Sequence, residues 1–136
     1  SIPLAVGKGR CIAEGIHVAI LSIGHIGNEA EKAVKMLAEE GKQVGHYDMR
    51  FVKPLDMDLL YGVASRYEII VTVEDGCLEG GFGSAVIEAF QGRFSGRIVR
   101  LGIEDHFVKH GPVGRLMSDC GYDAEGIVRT VNSLWE

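Results

Sequence analysis

Four short stretches of the chain carry residue types able to do chemistry. Gly80-Gly81-Phe82-Gly83-Ser84 is a glycine loop that leads into Phe82, Ala85, Val86, Ala89 and Phe90 at helical spacing. A glycine loop at a helix start leaves backbone N–H groups beside the positive end of the helix dipole, which suits a phosphate or a carboxylate. The same glycines also serve close packing of a helix on its strand, or positive φ, with no ligand at all. The sharper patterns are missing: the third dinucleotide-motif position is Val86, no Gly-Lys-Ser/Thr follows, and Phe82 two residues before Ser84 excludes a nucleophile elbow. Glu74 and Asp75 are paired acids, suited to acid/base work or simply to capping a turn. His25, His106 and His110 with Asp105 offer metal-ligand types without a dense cluster, which is the ordinary pattern of surface histidines. Arg50 and Lys53 suit a phosphate or plain solvent exposure.

The elements that must position these residues follow from apolar periodicity. Ile69 to Val73 is a β-branched run expected of a strand buried on both faces, ended by Glu74, Asp75 and Gly76. Ahead of it, Arg10 to Ala13 reads as a short edge strand closed by a Glu14-Gly15 turn, and Ile16 to Ile23 as a second strand. A helix follows, with Asn28 as cap, Glu31 at the capping-box position and a stripe of Ala30, Ala33, Val34, Leu37 and Ala38, and Gly41 stops it. Val44 to Asp48 is the next strand, and Asp56 caps a helix with Leu59, Leu60, Val63, Ala64 and Tyr67 inward. Arg97 to Leu101 is the last strand, followed by a loop from Gly102 to Gly111 and a short helix from Pro112. Asp123 caps a final helix buried through Ile127, Val128, Val131, Leu134 and Trp135. Such alternation predicts a three-layer α/β/α fold on a mostly parallel sheet, with ligands beyond the carboxyl ends of the strands.

Composition narrows the class. With 136 residues, 46% hydrophobic and 24% charged, the whole of 1–136 is expected to be one domain that folds alone. A net charge of −5 with scattered basic residues argues against a nucleic-acid surface, and no stretch approaches the roughly 18 apolar residues of a membrane span. Cys11, Cys77 and Cys120 show no C-x-x-C spacing, which favours a reducing, cytoplasmic setting with all three as small core residues. The opening Ser1-Ile2-Pro3 has neither Met nor the basic and apolar regions of a signal peptide, as expected of a piece excised from a longer chain.

Asp48-Met49-Arg50-Phe51-Val52-Lys53-Pro54-Leu55-Asp56 resembles the Asp-x-Arg-Phe-x-Lys-Pro-Leu-Asp signature of the 1-deoxy-D-xylulose-5-phosphate synthases. Three more stretches agree with the carboxy-terminal region of that family: Pro3 to Gly9, Val71 to Asp75 with Gly80 to Ser84, and Leu101 to Val108 with His110-Gly111. The glycine loop is shared by the wider transketolase carboxy-terminal family, whereas the Arg-Phe-x-Lys-Pro-Leu-Asp stretch is specific to the synthases. Asp75 stands where many relatives have a second Glu.

The resemblance implies a five-stranded mixed sheet in the order 1-3-2-4-5 with the first strand antiparallel. It also implies a homodimeric parent that uses thiamine diphosphate and magnesium to decarboxylate pyruvate and join the two-carbon fragment to glyceraldehyde 3-phosphate, feeding isoprenoid, thiamine and pyridoxal synthesis. The family's catalytic machinery lies in its first two domains. Glu74-Asp75-Gly76 has Glu where the diphosphate motif needs Gly, and neither Asn28 nor Asn132 is suitably spaced, so no catalytic, cofactor or metal residue carries over. The expected partners are other domains of the same polypeptide. The weak anion-site candidates Gly80, Gly81, Gly83 and Ser84 remain, as do two other readings. One is a free-standing anion-binding or regulatory module of the same fold; the other is the matching domain of a 2-oxo acid dehydrogenase E1 beta subunit, against which Asp48 to Asp56 argues. If Gly81 and Gly83 serve packing, either change to Val is expected to cost roughly 1–3 kcal/mol. An excised domain is also expected to expose an apolar face, with Ile2, Pro3, Leu4 and Val6 contributing.

Overall fold

A computed structural model describes residues 6–78, 81–103 and 123–135. Its strands are β1 (Arg10–Ala13), β2 (Val18–Ser22), β3 (Gly45–Asp48), β4 (Ile69–Leu78) and β5 (Arg97–Ile103). The helices among the described residues are α1 (Gly27–Glu39), α2 (Met57–Arg66), α3 (Gly81–Phe90) and α4 (Ala124–Leu134). The sheet order is β1-β3-β2-β4-β5, with β1 antiparallel to β3 and the other neighbours parallel, as the family resemblance implied.

All five residues of β2 are buried, and their alternation divides the core in two. Val18 and Ile20, with Val71 and Val73 of β4, pack under α1 and α4 through Ala30, Ala33, Leu37, Ile127 and Val131. Ala19 and Leu21, with Ile70, face α2 and α3 through Leu60, Val63, Phe82, Val86 and Phe90. Among the described residues, two helices therefore cover each face of the sheet.

Local signals set most boundaries. Asp56 Oδ1 accepts from the Leu59 N–H at 3.1 Å to start α2, and Asp123 Oδ1 from the Gly126 N–H at 2.9 Å to start α4. Gly41, at φ +81°, closes α1: its N–H and that of Lys42 turn back onto the Ala38 and Leu37 carbonyls at 3.0 and 2.9 Å.

Several expectations need correction. Asn28 does not cap α1, because a 3-10 turn at Gly24–Ile26 feeds the helix directly and the backbone of that turn supplies the bonds. Ala38 is exposed, so the buried stripe of α1 is narrower than its apolar pattern. Glu74, Asp75 and Gly76 do not end β4, and Gly102 and Ile103 belong to β5: the two strands keep pairing past an irregularity as far as Leu78 opposite Ile103. Cys11 is an exposed residue of edge strand β1, with its Sγ on Glu14 Oε1 at 3.2 Å. Most of the loop expected at Gly102 to Gly111, the helix at Pro112, and the residues Ile2, Pro3 and Leu4 lie outside the described residues.

The two loop glycines separate. Both lie in the first turn of α3 without positive φ, but a Cβ on Gly83 would come within 2.7 Å of Arg100 Nε and 3.2 Å of Thr72 Oγ1, whereas one on Gly81 meets nothing within 4 Å. One polar pair is wholly inside the sheet: Ser22 Oγ and His46 Nε2 are 2.8 Å apart, and His46 is 1% exposed. Burial holds the His46 imidazole down to about 4 from an ordinary 6.5, against the pull of Asp48 and Glu31 and with the help of Arg10.

Two outcomes follow from this packing. In urea unfolding, Gly83→Ala should cost about 1–3 kcal/mol by overpacking, while Gly81→Ala should be neutral or stabilise by up to about 1 kcal/mol. Equal losses at both positions would contradict the helix placement. His46, neutral when folded, contributes stability that is complete above its unfolded pKa of 6.5 and is lost as pH falls toward 4, a total of about 3 kcal/mol. Between pH 7 and 4 the unmutated chain should therefore lose about that much more stability than the double variant Ser22→Ala/His46→Leu, and parallel pH profiles would show that His46 protonates freely in the fold.

Candidate functional site

The candidate residues stand where the strands β2, β3 and β4 end. At the end of β4, Glu74 is buried, 6% exposed, and its carboxylate accepts from the Phe82 N–H at 3.2 Å and the Gly83 N–H at 3.1 Å. These are first-turn amides of α3, the groups on which an external anion at this glycine loop would be held. The protein places its own carboxylate there. Around it, Thr72 Oγ1 is buried without a partner, and Arg100 Nη2 donates to Ser84 Oγ at 2.9 Å. Gly80 and the side chain of Asp75 lie outside what is described.

The end of β3 carries the Arg50 to Asp56 stretch. Arg50, half-buried, has φ +64°, a left-handed conformation in which its N–H donates to Asp48 Oδ1 at 3.1 Å. Lys53 is exposed beside α3. Asp56 does more than cap: while Oδ1 holds Leu59, Oδ2 accepts from the Gly9 N–H at 2.9 Å. Gly7, at φ +77°, lies so close to the neighbouring Pro54 that a Cβ would meet Pro54 Cγ at 2.8 Å. The Gly7-Lys8-Gly9 and Lys-Pro-Leu-Asp motifs, far apart in sequence, are thus halves of one contact. Two glycines spaced by one residue were the available sign of close backbone approach, but their partner could not be read from them.

The Ser22 and His46 pair escaped the sequence reading altogether, although a polar residue within each of two apolar strands was a visible signal. Its chemistry is limited by burial. A nucleophilic hydroxyl must reach substrate and its base must titrate near neutral pH, whereas Ser22 is wholly buried and His46 stays neutral down to about 4. Asp48 is not a third member either, since His46 Nδ1 has no partner and Asp48 Oδ1 is held by Arg50. Beside His46 a cavity of about 90 Å3, lined by Arg10, Asn28, Glu31 and Asp48, has the size and polarity for ordered water.

His25 is exposed in the 3-10 turn, while Asp105, His106 and His110 lie outside the described residues. Among the described residues no group of three His, Cys, Asp or Glu is placed to hold a metal ion. A cavity of about 710 Å3 opens at the opposite end of the sheet, between the starts of β4 and β5 and the end of α4. There His17 meets the Trp135 ring edge-on at 5.4 Å and Glu68 Oε1 at 2.8 Å. None of the described candidate residues lines it.

A second polar cluster fastens the sheet edge to α2. Tyr47 and Tyr67 hydroxyls are 2.8 Å apart, the Gly15 N–H donates to Tyr67 at 3.0 Å, and Arg66 bridges Tyr47 and Glu14 at 3.1 and 2.9 Å. Burial, and then the bond to Tyr67, push the Tyr47 phenol well above its usual pKa, which suits a structural hydroxyl rather than a proton shuttle.

Comparison with known proteins places this geometry. The family described as "Transketolase, C-terminal domain" matches residues 7–127. A 1-deoxy-D-xylulose-5-phosphate synthase of Cytophaga hutchinsonii is 48% identical over 132 residues, covering 96% of this chain and 21% of its own. One from Porphyromonas gingivalis is 45% identical over 95% of this chain and 20% of its own. The chain therefore spans about one fifth of the length of the curated relatives it matches. Among solved structures, a split-gene transketolase described as an inactive beta4 tetramer superposes with a TM-score of 0.87 at 32% identity, over 97% of this chain and 43% of that one. With its sheet order, its glycine-started third helix and a match over nearly its whole length, the chain belongs to the transketolase C-terminal domain family.

Proposed function

We propose that residues 1–136 are a single domain, the carboxy-terminal one of a 1-deoxy-D-xylulose-5-phosphate synthase, and that its part in that enzyme is structural. The observation that carries this reading is identity of 42–48% to synthases of that name, running over 93% or more of the chain. On this reading the parent decarboxylates pyruvate and transfers the two-carbon fragment to glyceraldehyde 3-phosphate, the first step toward isoprenoids by the non-mevalonate route and toward thiamine and pyridoxal. Thiamine diphosphate and Mg2+ belong to the other domains of the same polypeptide, and the parent acts as a cytoplasmic homodimer.

The residues described here do not fit the cofactor. The anion position at the start of α3 is filled by the buried Glu74 carboxylate, and a diphosphate would have to displace it. Ser84, exposed and accepting from Arg100, offers no cradle by itself. No chemical step is therefore routed through this chain, which supports a domain that helps build the enzyme and leaves the chemistry to its neighbours. The similar split-gene transketolase is described as inactive in the assembly that contains this fold, which supports the same division of labour.

Calorimetric titration of the 136-residue chain with thiamine diphosphate and Mg2+ should give no binding heat, and a micromolar Kd would overturn the structural role. The longer parent, given pyruvate, glyceraldehyde 3-phosphate, thiamine diphosphate and Mg2+, should release CO2 and consume the aldehyde, and a parent inert under those conditions would remove the synthase assignment. Phosphate should leave the melting temperature of the unmutated chain flat. Glu74→Ala should cost about 1–3 kcal/mol by leaving buried amides unpaired, and phosphate should then stabilise the variant by RT ln(1 + [L]/Kd), read as a rising melting temperature. A phosphate response already present before mutation would show that Glu74 does not fill the position.

A further inference from the structure

The cavity of about 710 Å3 at the starts of β4 and β5 has walls unlike those of a plain surface hollow. Ile69, Phe94 and Leu134 give it apolar lining, and the half-buried Trp135 meets His17 edge-on at 5.4 Å. His17 keeps that position in a left-handed backbone, φ +65°, fixed by its carbonyl, which accepts from the Glu68 and Ile69 N–H groups at 3.0 Å each. Conformations of this kind in residues other than glycine recur at ligand clamps. A side chain on Gly96 would run into the Glu68 carbonyl and the Phe94 ring, so only bare backbone fits that part of the wall.

Two opposite charges line the same cavity. Glu68, just before β4, and Arg97, the first residue of β5, are tied through the Arg97 N–H on the Glu68 carbonyl at 3.0 Å, yet their side chains do not pair. Glu68 gives Oε1 to His17 at 2.8 Å and its side chain stays 75% exposed, which leaves the other oxygen open to a donor. Arg97 lies opposite Ile69 in register, on the face that α4 covers, and among the described residues no carboxylate pairs with it. Helix α4 ends here without a basic residue in its last turn, so the negative end of its dipole is unbalanced. A lone anion would face Glu68 and the end of α4, a lone cation would face Arg97, and a neutral apolar molecule would use neither charge. A zwitterion uses both, since neighbouring strands stand only about 4.8 Å apart.

We propose that this cavity binds a free α-amino acid with a large apolar side chain. Its carboxylate lies on Arg97, its ammonium on Glu68 and the end of α4, and its side chain against Trp135, Phe94 and Leu134. The volume is within the roughly 300–1,000 Å3 of ordinary small-molecule sites. Every group involved belongs to this chain, so the site is independent of the reaction of the parent enzyme.

Trp135 is the one tryptophan of the chain, and its emission therefore reports on the cavity directly. Titration of the 136-residue chain with L-phenylalanine, excited beyond the absorption of phenylalanine, should change that emission saturably with a Kd below about 1 mM. N-acetyl-L-phenylalanine, which lacks the ammonium, and L-phenylalaninamide, which lacks the carboxylate, should each bind at least about tenfold more weakly. Arg97→Gln and Glu68→Gln should weaken L-phenylalanine by about the same factor with little change in melting temperature, since both side chains are exposed, and Lys35→Gln should leave its Kd unaltered. Absence of a saturable response up to about 10 mM L-phenylalanine, L-leucine or L-methionine overturns the proposal. Equal affinity for the two blocked derivatives, or unchanged affinity in the Arg97→Gln chain, overturns it as well.

Discussion

Strand β2 has no side for water. Val18, Ala19, Ile20, Leu21 and Ser22 are all buried, and β4 beside it repeats the condition from Ile70 to Glu74. Apolar side chains that alternate between two faces need cover on both, so helices must lie above and below the sheet, and parallel strands reach that arrangement through right-handed crossovers. The rest of the architecture answers to this demand. Helices α1 and α4 close one face through small and branched residues such as Ala30, Ala33 and Val131, while α2 and α3 close the other with bulkier ones such as Leu60 and Phe82. The edge strand β1, with exposed and half-buried residues only, is the element least constrained by it; it is held by antiparallel pairing with β3, and just beyond it Tyr67 fastens the Gly15 N–H.

Placing helices against both faces creates a second demand, since each helix start brings unpaired N–H groups. Three of the four described helices meet it with a carboxylate of the same chain: Asp56 at α2, Glu74 at α3 and Asp123 at α4. Glu74 differs from the other two in reaching its helix from the preceding strand, and that difference bears on function. A fold whose relatives in other α/β families open this position to phosphates here closes it with a buried internal anion. The charge that would recognise a ligand is already balanced, and the site becomes part of the packing between β4, α3 and β5, where Gly83, Thr72 and Arg100 crowd together.

The same economy explains the synthase-like signature in the loop after β3. Asp56 caps a helix with one oxygen and ties down the leading segment with the other, so a stretch that looks from its Arg and Lys like a phosphate grip is first a joint between two parts of the chain.

Sequence alone determined the alternation of elements, the Asp56 and Asp123 caps, the Gly41 stop, and the family, because each is written in local spacing or in a contiguous motif. The strand order was also within reach, though only through the resemblance to the transketolase carboxy-terminal family. What tertiary structure decided were the contacts between residues distant along the chain. Gly9 on Asp56, Ser22 on His46, and Glu74 on Phe82 and Gly83 depend on which strand lies beside which, and that is fixed by burial of whole faces rather than by any neighbouring residue. For the same reason the ends of β4 and β5 were misjudged: Glu74, Asp75 and Gly76 are poor strand formers by themselves, and Gly102 is no better, yet each strand continues because the other supplies its hydrogen bonds. Gly81 and Gly83 make the point most simply, since two glycines equivalent in sequence differ only in what lies across from them, open space for one and the Arg100 side chain for the other.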